Sequence, residues 1–138
     1  MANNSIKSVF QGGMAFSTEV NGHSITIDLK EASGGNNLGT SPKILMLVSL
    51  AGCTGVDVVG ILNKMKVDFS DFSISVDAHL TEEHPKIYDE VTITYSIKVD
   101  KEHEPKVKRA VDLSQDTYCG VSEMFRAFAK LSSNIIYL

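Results

Sequence analysis

The sequence predicts an α+β fold, and three observations carry that expectation. Short strand patterns joined by hairpin signals occupy residues 5 to 29, one long apolar helix pattern runs from Ser41 to Met65, and two long alternating strands followed by helical patterns fill the rest. At 138 residues the chain has the length of one domain with enough apolar material for its own core. No repeat or linker composition marks a boundary, so residues 1–138 are expected to fold as a single domain.

Gln11-Gly12-Gly13 and Asn21-Gly22 are turn signals, and the second is the strongest short-range mark of a hairpin, so three short strands in a meander are expected. In the third, Ile25, Ile27 and Leu29 alternate with Ser24, Thr26 and Asp28, which gives one wet and one buried face. Glu31 to Thr40, rich in Gly, Ser and Asn, has no period and reads as a mobile loop, a candidate lid beside a buried cysteine.

Ser41 offers a helix cap and Pro42 suits the first turn, where its missing N–H has no partner to lose. Ile44, Leu45, Leu47, Val48, Leu50 and Ala51, then Val56, Val58, Val59, Ile61 and Leu62, cover most of the circumference. That pattern predicts a helix buried on all sides. Gly52, Gly55 and Gly60 within it predict a kink or a close approach by another backbone. The rest of so short a chain scarcely covers such a helix, so a second subunit is expected. Asp57 and the three glycines interrupt the apolar run, and a membrane span is not expected.

After the helix, Phe72, Ile74, Val76, Ala78 and Leu80 alternate with polar residues, as do Val91, Ile93, Tyr95, Ile97 and Val99, and these two strands join across His84-Pro85. Pro105 opens a second helical region with Val107, Ala110 and Val111 on one face, which breaks near Leu113 to Thr117. A last helix is expected from about Cys119, presenting Val121, Met124, Phe125, Phe128 and Leu131, followed by a short strand from Asn134 to Tyr137.

The charge balance, 13 Lys plus Arg against 17 Asp plus Glu, is scattered without a basic stripe, so no nucleic-acid partner is expected. The N-terminus lacks a signal-peptide apolar core; a cytoplasmic location with reduced cysteines is the expectation.

Cys53 and Cys119 lie too far apart in sequence for a zinc ribbon or a Cys-X-X-Cys motif. A free cysteine commonly packs as a small hydrophobe, and that reading stands beside a functional one. In favour of function, both fall at an expected helix start or kink, where free N–H groups and the dipole stabilise a thiolate, and both have a glycine neighbour. Nothing else nucleophilic has an obvious base nearby. Asp57, one turn after Cys53 on the same face, works against the thiolate. His23, His79, His84 and His103 have no ligand spacing, so neither a metal nor a cofactor is expected. The Gly34-Gly35 loop lacks the Lys-Ser/Thr of a phosphate loop, and the mixed charges from Asp100 to Glu104 read as a solvated turn.

Ser41-Pro42, Ala51-Gly52-Cys53-Thr54, Asp57-Val58-Val59 and Ile61-Leu62, together with Arg109-Ala110-Val111, Ser114 and Tyr118-Cys119, resemble the OsmC/Ohr superfamily of osmotically inducible and organic hydroperoxide resistance proteins, in particular its YhfA-like branch. The resemblance runs over nearly the whole chain. It implies antiparallel sheets wrapped around a buried central helix, in an intertwined homodimer with sites at the interface. It also implies that Cys53 attacks an organic hydroperoxide, that Cys119 resolves it as a disulfide, and that a thiol or dithiol, such as a lipoyl protein, reduces the product.

Two positions depart from the strongly active members. Met14 stands where they have an arginine after the Gly-Gly turn, and Lys43 where they have a glutamate after the helix-opening proline. In those members the arginine stabilises the thiolate and the glutamate holds the arginine. No arginine precedes Arg109 in this chain, and Lys43 lies about 15 Å of helix from Cys53. Two functions follow as expectations: a Cys-based hydroperoxide reductase of low activity, or a non-catalytic OsmC-fold protein that binds a small apolar ligand or serves in stress.

Overall fold

The computed structural model describes residues 3–138. The chain forms two compact units, one up to Met46 and one from Leu47 onward.

In the first unit, strands β1 (Ser8–Phe10), β2 (Phe16–Val20) and β3 (His23–Ile27) form the expected antiparallel meander. Val20 pairs with His23 across a two-residue loop in which Asn21 and Gly22 both have positive φ, 50° and 81°, as this tight hairpin class requires. The segment after β3 departs from the expectation of a mobile loop. The buried Asp28 carboxylate accepts N–H groups from Leu29 at 2.7 Å and from Asn36 and Leu38 at 3.1 Å each, fixing the path of the chain. Those N–H groups, Leu38 foremost and then Leu29, hold its carboxyl below the usual range, with burial pulling the other way. A Cβ on Gly35 would stand 2.0 Å from the Leu29 carbonyl oxygen, so only glycine allows the approach.

Helix α1 (Pro42–Lys64) starts in this unit and continues into the next. The second unit adds β4 (Ser70–Leu80), β5 (Tyr88–Lys98), α2 (Glu104–Leu113), a five-residue π turn over Ser114–Tyr118, α3 (Gly120–Arg126) and β6 (Lys130–Tyr137). Among the described residues there are thus two sheets and three α-helices, a mixed α+β fold.

Three expectations need correction. First, the sheet of the second unit, in the order β4-β5-β6, is mixed: β4 and β5 are antiparallel, but β6 runs parallel to β5 from Glu90↔Lys130 to Ile97↔Tyr137. The helices between β5 and β6 return the chain to the starting edge, and such a crossover makes a parallel pair. Second, α3 ends at Arg126, and the last strand begins at Lys130 rather than Asn134. Leu131 continues the helical spacing of Val121 and Phe125, yet it pairs with Val91 and turns into the core as a strand residue. Two periodicities coincide at that position.

Third, α1 is buried along one stripe only. Leu50, Thr54, Val58 and Leu62, four apart, are closed from solvent, whereas Val48 and Val56 are 57% and 71% exposed. The glycines do not interrupt the helix: Gly52 and Gly60 face open space, and a Cβ on Gly55 would come within 3.2 Å of Ile74 Cδ1. The stripe packs in a core with Val91, Ile93, Tyr95 and Ile97 of β5, Val107, Ala110 and Val111 of α2, and Phe125 of α3. Each large aliphatic side chain buried there contributes about 1.5–3 kcal/mol. By length and composition alone α1 would also cross a bilayer, but here its stripe belongs to the core.

Candidate functional site

The second unit brings Cys53 and Cys119 together. Cys53 lies on α1 beside the buried stripe and is half-buried. Cys119 follows the π turn, whose wider spacing ends when its N–H bonds to the Ser114 carbonyl at 2.7 Å. The residue then turns extended, with φ −77° and ψ 98°, and caps α3, its Sγ accepting the Ser122 N–H at 3.3 Å. It is buried. Cys53 Sγ, Cys119 Sγ and a carboxylate oxygen of Asp57 all lie within 4.8 Å of one another.

Cys119 is at a helix start, as expected from the sequence, but Cys53 is not. It sits in the middle of an unbroken α1, whose own N–H groups are committed to the helix. A favourable influence reaches it from elsewhere: the backbone N–H of Val121, in the first turn of α3, favours the Cys53 thiolate. Burial, first, and then the hydrogen bond with Cys119 push the Cys53 thiol up, the Val121 N–H pulls it down, and negative charge on Cys119 and Asp57 raises it further. The net direction is upward, toward the neutral thiol.

A buried polar chain adjoins the pair, and the sequence reading missed it. Gln115 Nε2 donates to Tyr95 Oη at 3.0 Å and to Thr54 Oγ1 at 3.2 Å; Thr54 Oγ1 lies 2.6 Å from Tyr95 Oη and 2.7 Å from Ser114 Oγ; Ser114 Oγ donates to Asp57 Oδ2 at 3.0 Å. With Tyr95 donating to Thr54 and Thr54 to Ser114, every hydroxyl proton points toward the Asp57 carboxylate and every partner is satisfied. Arg126 closes the far end on the Gln115 carbonyl and pairs with Glu123 at 3.2 Å. The available signal was polar residues at positions that the helix and strand periods mark as inward: Thr54 within the Leu50, Val58, Leu62 stripe and Tyr95 with Ile93 and Ile97.

Two shallow depressions run along the exposed face of α1 and share Val56 and Gly60. One, of about 450 Å³, is walled by Gly52, Gly55, Val59 and Phe72; the other, of about 360 Å³, by Asp57, Ile61, Lys64 and Tyr118. Met14 and Lys43 belong to the first unit and are exposed there, Met14 at 49%. Of the histidines, His79 bonds to Asp89 at 2.7 Å on the exposed sheet face.

A family model described as "OsmC-like protein" matches residues 34–133, most of the chain, and the chain belongs to that family. Protein YhfA of Escherichia coli K12 is 30% identical over 113 residues, 81% of each chain. A crystal structure of a hypothetical protein from Aquifex aeolicus VF5 superimposes with a TM-score of 0.82 at 30% identity, over 100% of this chain and 99% of that one. The organic hydroperoxide resistance protein OsmC of Legionella pneumophila shares the fold, with a TM-score of 0.68 at 15% identity over 99% of both chains.

Proposed function

We propose that this protein is a thiol-dependent redox protein that reduces organic hydroperoxides through Cys53 and Cys119. The observation that carries the reading is the approach of the two sulfurs to within 4.8 Å, from distant parts of the sequence. An S–S bond of about 2.05 Å then needs a movement of less than about 3 Å. The unequal exposure divides the roles: Cys53, half-buried, is the one a hydroperoxide reaches first, and Cys119, buried behind it, resolves.

In the first step the Cys53 thiolate attacks the terminal oxygen of ROOH, the O–O bond breaks, and the alkoxide leaves as ROH after taking a proton. Cys53 becomes a sulfenic acid. The Cys119 sulfur then attacks the Cys53 sulfur, the S–S bond forms and water leaves. An external dithiol, or two thiols, restores both cysteines and is itself oxidised to a disulfide. The apolar depression along Gly52, Val56 and Val59 suits the alkyl part of such a substrate.

The exposed apolar face of α1 supports a homodimer, with a second copy laid against Val48 and Val56. The rival reading, a non-catalytic protein that binds a small apolar ligand, is favoured by Met14 and Lys43 in place of the arginine and glutamate of active members, and burial pushing the Cys53 thiol up agrees with it. Oxidation of the reduced protein by an organic hydroperoxide, followed by stopped flow in the wild type and in Cys53→Ser, separates the two. The redox reading expects consumption of one equivalent per chain that vanishes in Cys53→Ser; an unreactive wild type with both thiols titratable leaves the binding protein.

A further inference from the structure

We infer that Cys53, Cys119 and Asp57 form a binding site for a zinc-class divalent ion, with the fourth position open to water or a small ligand. The inference concerns the same two thiols as the redox reading but rests on the three-atom geometry, and it stands or falls separately.

The donor set comes first. Two thiolates and one carboxylate are ligands that zinc accepts, and three protein ligands with an open fourth position is the arrangement of sites that bind or activate a further molecule. With Zn–S of about 2.3 Å and Zn–O of about 2.0–2.2 Å, tetrahedral ligand atoms lie about 3.6–3.8 Å apart. The three atoms here are already within 4.8 Å of one another, so closing on an ion needs shifts of about 1 Å. Cys53 and Asp57 are four apart on α1 and therefore project from one helix face, while Cys119 reaches them from the cap of α3.

The surroundings of the three ligands fit the same use. Cys119 Sγ accepts the Ser122 N–H from the first turn of α3, and such a donor offsets thiolate charge around a metal. Ser114 donates to Asp57 Oδ2 at 3.0 Å and orients the carboxylate, and Ser114 is itself held by Thr54. Asp57 also lines the cleft of about 360 Å³ with Lys64 and Tyr118, so this ligand is reached from solvent on that side. On binding, two S–H bonds break, two S–metal bonds form and two protons pass to solvent. An ion so held occupies both sulfurs and protects them from oxidation.

The experiment is a Co²⁺ titration of fully reduced, chelator-treated protein without oxygen, read by absorption. Expected are a saturable thiolate-to-cobalt charge-transfer band and tetrahedral d–d bands at one ion per chain, displaced by Zn²⁺. Asp57→Asn is expected to weaken the affinity at least about ten-fold, the lower end even for outer-sphere partners of a metal site, and Cys119→Ser to abolish the charge-transfer pattern of two sulfurs. Should a variant lose its fold by circular dichroism, the wild type still decides: stoichiometric Zn²⁺ is expected to slow modification of both cysteines by a disulfide reagent. No charge-transfer band, a band unaltered in folded Asp57→Asn, or no protection by Zn²⁺ overturns the inference. Protein that consumes hydroperoxide in chelator but binds no metal discards this inference alone; protein that binds metal but ignores hydroperoxide discards the redox reading alone.

Discussion

Cys53 carries opposing influences at one sulfur, and the balance sets how it reacts. A peroxide needs the thiolate, and burial with the neighbouring Cys119 and Asp57 outweighs the one helpful N–H from Val121. With its thiol above the ordinary range of about 8.5, the ionised fraction grows about ten-fold per pH unit through neutrality. The rate of oxidation by an organic hydroperoxide is therefore expected to rise about 100-fold from pH 6 to pH 8, without a plateau. A rate flat across that range in stopped flow would mean that a cation reaches the sulfur. Asp28 titrates with the opposite sign. Its carboxyl is held below the ordinary value of about 3.9, so the loop it ties is stabilised above that pH and released as the pH falls through the lower folded value. Amide exchange at Asn36 and Leu38 is expected to gain on the strand amides as the pH falls from 6 through the lowered folded value, and to be fast at pH 6 already in Asp28→Asn. Equal protection in the variant would remove Asp28 from that role. The residue scale is also where the sequence was least informative. The approach of Cys119 to Cys53 followed from the family resemblance, because nothing in local periodicity says that the cap of one helix meets the middle of another.

Among the elements, the two helices around the pair are held by polar contacts as well as by apolar packing. Thr54 on α1 is the branching point between Tyr95 of β5 and Ser114 and Gln115 of the π turn. Thr54→Val keeps the shape but strands buried partners, and is expected to cost about 1–3 kcal/mol in denaturant unfolding. A cost near zero would show that the chain of bonds rearranges freely. Ser122 gives the converse case: its hydroxyl is buried with no hydrogen-bond partner among the described residues. Ser122→Ala is expected to raise stability by about 1 kcal/mol while leaving the Ser122 backbone bond to Cys119 in place. A destabilised variant would show that the hydroxyl is satisfied in solution. Most elements were legible in the sequence because their periods were clean: the alternation of Val91, Ile93, Tyr95 and Ile97, the Asn21-Gly22 turn, and Pro42 opening α1. The errors arose where the signal was ambiguous. Leu131 satisfied the helical and the strand spacing at once, and the glycines of α1 suggested a kink although two of them face open space.

At the scale of the whole molecule, the apolar circumference of α1 exceeds what its own chain covers. A single stripe is buried, and Val56 remains 71% exposed beside Gly52 and Gly60. A homodimer through this face predicts about twice the 15.0 kDa chain mass in light scattering, with Val56→Asp shifting the protein toward the monomer. Wild-type protein that scatters as one chain at micromolar concentration would contradict the dimer. The redox assignment itself rests on two sulfurs acting in sequence, and intact-mass analysis follows that directly. Reduced protein treated with one equivalent of an organic hydroperoxide at pH 8.5 is predicted to lose about 2 Da as a Cys53–Cys119 disulfide. Cys119→Ser is predicted to gain about 16 Da on Cys53 alone, the mass of a trapped sulfenic acid. Wild type of unchanged mass whose two cysteines both still alkylate, or oxygen added to Cys119 with Cys53 untouched, would contradict the account.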